Sequence, residues 1–201
     1  MSGTPPGRRE RKKQAVRDKI CEETINLVEL HGVEGTTIDA ICDCADIAKK
    51  TFYNYYPSKH ELLLDICQNT LLNRTDELID MALGRADTLS GQLEQVFIAM
   101  QENNNNAGRL ERELIAYMVS NLSQNISQGA NQLTFMNRCF YRLFDHGKDE
   151  LKPEFQPDFC AEITVGMVNA ITLNWLHNDD YDTQGKYLSL LHFLQQSLLK
   201  P

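Results

Sequence analysis

The sequence predicts an all-α protein, and three observations carry that expectation. Apolar residues recur three and four apart along most of the 201 residues. No stretch alternates apolar and polar residues as a half-buried strand would. Helix caps and breakers punctuate the chain at intervals that suit helices of ordinary length. Together they predict about nine helices and no internal repeat.

Residues 1–13 are expected to form a flexible basic arm, since MSGTPPG opens the chain and is rich in Pro and Gly. The first helix should begin between Arg9 and Gln14. Val16, Ile20, Thr24, Leu27 and His31 form its stripe, widened by Cys21, Ile25 and Val28. Gly32 is a natural stop, because glycine adopts the left-handed region at no steric cost. Thr36-Thr37-Ile38-Asp39 reads as the cap of a short second helix ending near Ala45. Asp46-Ile47 is a brief break, and a third short helix should occupy residues 48–55 until Pro57 forbids its continuation. Ser58-Lys59-His60-Glu61 is a capping box that opens a long fourth helix with Leu62, Leu63, Ile66, Leu71, Ile79 and Leu83 on its apolar side. Helical patterns follow at 91–101, 109–121, 126–145, 159–176 and 184–199, separated by breaks rich in Gly, Asn and Pro.

Composition excludes several classes. With 42% hydrophobic residues the chain can build a packed core. Its longest mainly apolar run, 163–176, contains Thr164, Asn169, Thr172 and Asn174, too short and polar a stretch to span a bilayer. The charged opening residues do not read as a secretion signal, so a cytoplasmic location and no membrane partner are expected. The six cysteines then remain thiols. None of the five histidines lies at a metal-ligand or catalytic spacing, and no phosphate-binding glycine loop occurs. The expectation is no enzyme activity, no cofactor and no metal.

The net charge of −8 is unevenly distributed. Residues 1–19 hold seven Lys or Arg against two acids, whereas residues 61–201 are net −9. A basic end on an acidic body suits a polyanionic partner at one end only.

A longer helix followed by two short helices around a tight break is the pattern of a helix-turn-helix, placed at residues 14–60. In the third helix Phe52 and Tyr56 are four apart, share a face and should pack on the first helix. Lys49, Lys50, Tyr53 and Asn54 then point to solvent or to DNA, and suit phosphates and base edges.

Residues 20–62 resemble the DNA-binding domain of the TetR family of regulators. The run Thr51-Phe52-Tyr53-Asn54-Tyr55-Tyr56-Pro57-Ser58-Lys59 carries most of the likeness, with Ile20, Leu27, Gly32, Thr36-Thr37-Ile38, Ile41, Ala45, Ile47 and Leu62. The resemblance implies DNA contacts at Thr37, Lys49, Lys50, Thr51, Tyr53, Asn54, Tyr55 and Lys59. Tyr53 and Lys59 would bind phosphate, and Lys49 and Lys50 would read bases. Departures from the family pattern are Asp46 in place of the glycine of the turn, Ala48 where a serine often caps, Lys50 where a small residue is frequent, and Glu23-Thr24 for a pair of alanines.

The same resemblance makes residues 61–201 a helical ligand-binding and dimerisation domain. The partners it implies are a double-stranded operator, a second copy of the chain and a largely apolar small-molecule effector. The last two helices would pair across the twofold, with Ile163, Gly166, Met167, Ala170, Leu191, Leu194 and Leu198 as interface candidates. Phe97, Met100, Tyr117, Met118, Asn121, Met136, Phe140 and Asn174 are pocket candidates, and the apolar ones equally suit a plain core. The function so implied is a repressor released from a near-palindromic operator by its ligand. Two alternatives stay open: a helical interaction protein that has lost operator reading, and a thiol-based sensor using Cys42, Cys44 and Cys67.

Overall fold

The computed structural model describes residues 7–124 and 126–201, with the side chains of 121–131 outside the description. Its helices are α1 (Arg8–Gly35), α2 (Ile38–Ala45), α3 (Lys49–Tyr53), α4 (Lys59–Cys67), α5 (Asn73–Arg85), α6 (Leu89–Asn105), α7 (Arg109–Gln124), α8 (Ile126–His146), α9 (Pro157–His177) and α10 (Thr183–Leu198). A π turn, Gln68–Leu72, runs between α4 and α5, so the expected long fourth helix is present but interrupted. The protein is all-α. Among the described residues the only extended pairing is an isolated bridge between Leu151 and Leu199.

Residues 8–13, expected as part of a flexible arm, instead form the first turns of α1. Arg, Glu, Lys and Gln are strong helix formers, and no breaker follows Gly7, whose carbonyl accepts the Arg11 amide at 3.0 Å. The helix is broken near its end at Gly32, which adopts φ 75° and ψ 170° before a last turn to Gly35. That conformation is open only to glycine at low cost.

The chain divides into two units. The first comprises the described residues up to Gln68 together with Arg109–Tyr117. A boundary at residue 60 therefore omits the end of α4 and the first half of α7. Its core joins Ile20, Leu27 and Val28 of α1 to Ile41 and Ala45 of α2, Phe52 of α3, and Leu62, Leu63 and Ile66 of α4, all buried. Phe52 and Tyr56 both face inward, as their spacing predicts. The Tyr56 hydroxyl donates to Asp65 at 2.6 Å and accepts from Arg17 Nε at 2.9 Å. Arg17 also pairs with Asp65 at 2.9 Å, which ties α1 to α4. Burial, then the bond to Asp65, pushes the Tyr56 phenol above its ordinary value. Hydrogen bonds to Tyr56 and then Asp65 hold Arg17 more firmly protonated.

In that unit α7 fastens the end of α1. Arg109 donates to the Leu30 carbonyl at 2.8 Å. The Glu113 carboxylate accepts the Val33 amide at 3.0 Å. Tyr117 meets His60 Nδ1 of α4 at 2.5 Å.

The second unit, Asn69–Gly108 with Met118–Pro201, has its own core. Phe97 of α6, Phe140, Leu143 and Phe144 of α8, Val165 and Val168 of α9, and Leu191 and Leu194 of α10 are buried together. Arg142 of α8 binds Asp76 of α5 at 2.5 Å and also pairs with Asp80. Gly147 must be small, since a Cβ there would lie 2.6 Å from Leu89 Cβ. By length and mean hydropathy alone Pro157–His177 meets the measure of a membrane span. Of its buried residues, Cys160, Ala161, Val165, Val168 and Ile171 belong to this core.

Candidate nucleic-acid interface

The helix pair α2–α3 is assembled by local chemistry. Thr37 caps α2, its Oγ1 accepting the Ala40 amide at 3.1 Å. Asp46 closes the turn in the left-handed region, φ 55° and ψ 51°. Aspartate tolerates this conformation better than most residues, so the turn survives without the family's glycine. Ala48 supplies no side-chain bond to the start of α3, the loss foreseen from its lack of a hydroxyl. After Tyr53 the chain tightens, with the Tyr55 and Tyr56 amides both bonded to the Phe52 carbonyl. Asn54 and Tyr55 are thus in a turn, where a helix to residue 55 was expected.

Burial of Phe52 fixes which side of α3 faces out. Lys49, Lys50 and Asn54 are exposed, as is Thr37 at the start of α2. Tyr53 is 51% exposed, its ring set edge-on to Phe52. Thr51 and Tyr55 are half-buried. The result is a small surface of one hydroxyl, two ammonium groups, one phenol and one amide. These are groups that meet phosphate oxygens and base edges.

Lys59 is placed otherwise. Its ammonium donates to the carbonyls of Val33 and Thr36, both at 2.8 Å. It thereby adds a charged donor to carbonyls at the end of α1, of which Val33 also accepts the Thr36 amide at 3.3 Å, instead of projecting as a phosphate contact. Lys49 is also engaged, in an exposed ion pair with Asp39 of α2 at 2.5 Å. Sequence reasoning missed Asp39 as part of this surface. The two residues are ten apart on different helices, so no periodicity links them.

Residues 20–66 match the family model described as bacterial regulatory proteins, tetR family. That segment is therefore of the TetR type. A segment of the chain is 34% identical over 59 residues to the HTH-type transcriptional regulator TcmR of Streptomyces glaucescens. That match covers 29% of this chain and about a quarter, 26%, of the length of TcmR. The fold likeness is wider. FadR of Thermus thermophilus, a TetR-family repressor solved with lauroyl-CoA, superposes with a TM-score of 0.74 at 18% identity, over 92% of this chain and 96% of that one. SmeT, the repressor of the Stenotrophomonas maltophilia multidrug efflux pump SmeDEF, gives 0.73 at 19% identity, over 92% and 90%.

The remaining site expectations fare unequally. Leu191, Leu194 and Leu198, expected at a partner's face, lie inside the core of the second unit. The exposed apolar residues of α10 are Leu188 at 44% and Phe193 at 47%. On α9, Gly166 and Ala170 are exposed and Ile163 and Met167 half-buried, beside Leu173 at 40%. Of the pocket candidates, Phe97, Met100 and Phe140 are core residues, and Met136 packs against them. Met118 is half-buried. Tyr117 belongs to the first unit through His60. Asn174 is exposed, its amide donating to the Ala170 carbonyl at 2.8 Å. Asn121 lies outside the described side chains.

Burial raises the thiol pKa of Cys42, and pushes Cys67 up to about 12. Both are therefore poor sources of the thiolate that a thiol sensor needs.

Proposed function

We propose that the chain is a DNA-binding transcriptional repressor, active as a homodimer and released from a near-palindromic operator by a small, largely apolar effector. One observation carries the DNA-binding part: the capped α2–α3 pair presents Thr37, Lys49, Lys50, Tyr53 and Asn54 outward while Phe52 anchors it to the core. A helix so exposed fits the major groove, and a dimer reads two half-sites. The effector part is supported by the fold shared with proteins solved with lauroyl-CoA and with triclosan. The dimer part is supported by the exposed apolar side of α9 and α10, where a Cβ at Gly166 would have nothing within 4 Å. That leaves room for close approach of a second helix.

The first test is gel-shift titration of the native protein against DNA upstream of its own coding region, at several salt concentrations. Salt-sensitive, sequence-preferring binding is expected. Lys50→Ala should weaken specific binding by about ten- to a hundredfold and relax base preference at one position of each half-site. Uniform weakening on every sequence would make Lys50 a phosphate contact instead. The second test is sedimentation of Leu173→Glu, which should turn a native dimer into a monomer with unchanged helical content. A variant that stays dimeric removes α9 from the interface.

A further inference from the structure

The pair formed by Lys49 and Asp39 has a bearing on DNA binding beyond holding α2 to α3. Both partners are exposed, with relative side-chain accessibilities of 60% and 62%. An exposed pair adds little to stability, so its importance lies in where it leaves charge. Lys49 and Lys50 are the two cations of α2 and α3. Lys49 is the first residue of α3, where the helix dipole disfavours a cation. Asp39 sits in the first turn of α2 with its carboxylate 2.5 Å from that ammonium. The hydrogen bond from Lys49 to Asp39, followed by their Coulomb attraction, raises the Lys49 pKa, so the pair is charge against charge.

We propose that Asp39 is a specificity-determining residue of the DNA-binding face, acting as an internal counter-ion to Lys49. This rests on the DNA-binding reading above. A lysine that neutralises a phosphate releases a condensed cation from DNA and adds about 0.9 to the steepness of the salt dependence. A lysine already neutralised by a neighbouring carboxylate adds no net charge to the interface. Its attraction for phosphate is offset by the repulsion that Asp39 brings to the same place. The face thus keeps an ammonium available for a base edge while weakening its sequence-independent grip on any duplex. Since specificity is the difference between the two affinities, a carboxylate here raises the ratio by lowering the nonspecific term.

The test measures binding of the full-length native protein, Asp39→Asn, Lys49→Ala and the double variant to a short duplex of scrambled sequence, from low to moderate salt. Asp39→Asn should bind severalfold tighter at low salt, with a salt slope steeper by about 0.9 for each copy facing the duplex. Lys49→Ala alone leaves the Asp39 carboxylate uncompensated and should bind the scrambled duplex more weakly than the native protein, and the double variant, which removes both charges, should return to the native slope. On a specific fragment, Asp39→Asn should lower the ratio of specific to nonspecific affinity. A native slope in Asp39→Asn overturns the proposal, as does a double variant that binds the scrambled duplex no more tightly than Lys49→Ala. Native protein that binds no duplex at low salt removes the DNA-binding reading itself, and this one with it. Binding with unchanged slopes removes this one alone.

Discussion

Gly32→Ala should destabilise the first unit by about 2–6 kcal/mol. Two costs add. Alanine at φ 75°, ψ 170° is held in a region that side chains rarely adopt, worth about 1–3 kcal/mol. Its Cβ would also lie 3.0 to 3.2 Å from the carboxyl atoms of Glu113. Glu113 can swing aside, but the Val33 amide then loses its acceptor, at about 1–3 kcal/mol. Against a domain stability of about 5–15 kcal/mol this is a large fraction. Amide hydrogen exchange should quicken across α1 and α2, and the thermal midpoint should fall. Glu113→Ala gives the control. If the two costs share one contact, the double variant should lose less than the sum of the singles. Native exchange rates in Gly32→Ala would mean that the turn can be remade without glycine.

Lys59→Met should lower stability with no DNA present. The methionine keeps much of the apolar stem and removes the ammonium that bridges the Val33 and Thr36 carbonyls. Hydrogen bonds from a charged donor are worth about 1.5–3 kcal/mol. Lys59 is only half-buried, so water recovers part of that and about 1–2 kcal/mol remains. For a unit of this size the thermal midpoint should fall by about 4–8 °C per kcal/mol. The two roles for Lys59 separate in the salt dependence of DNA binding. A lysine committed to carbonyls leaves the slope unchanged on replacement, whereas a phosphate contact would cost about 1 in slope. A flatter slope with an unshifted midpoint would restore Lys59 to the DNA surface.

The helix-turn-helix was legible because its determinants are local. Thr37, Asp46, Pro57 and Ser58 act within a few residues of themselves, through caps, a left-handed turn and a barred helical conformation. Ser58 Oγ, for instance, accepts the Glu61 amide at 3.2 Å, as the capping box requires. Phe52 and Tyr56 were legible because four-residue spacing decides a shared face. The arm at 8–13 was misjudged because a basic, solvent-exposed stretch has no apolar stripe to mark it as helix, although its residues favour helix intrinsically.

Choices between equivalent faces were not legible. On α10, Leu191, Leu194 and Leu198 and the pair Leu188 and Phe193 are all apolar residues at helical spacing, yet the first set fills the core and the second stays exposed. Period alone says that a helix has an apolar side. It does not say which neighbour covers it.

What the sequence by itself determined is the order of helices, the caps and stops that bound the helix-turn-helix, and the residues that α3 turns outward. All follow from interactions within one or two helical turns. What only the tertiary structure decided is the employment of the charged and apolar groups on those helices. Lys59 goes to the end of α1, Lys49 to Asp39, Glu113 to Val33 and the α10 leucines inward. Those outcomes depend on partners ten to eighty residues away in the chain, brought within hydrogen-bonding or packing distance only by the assembled core.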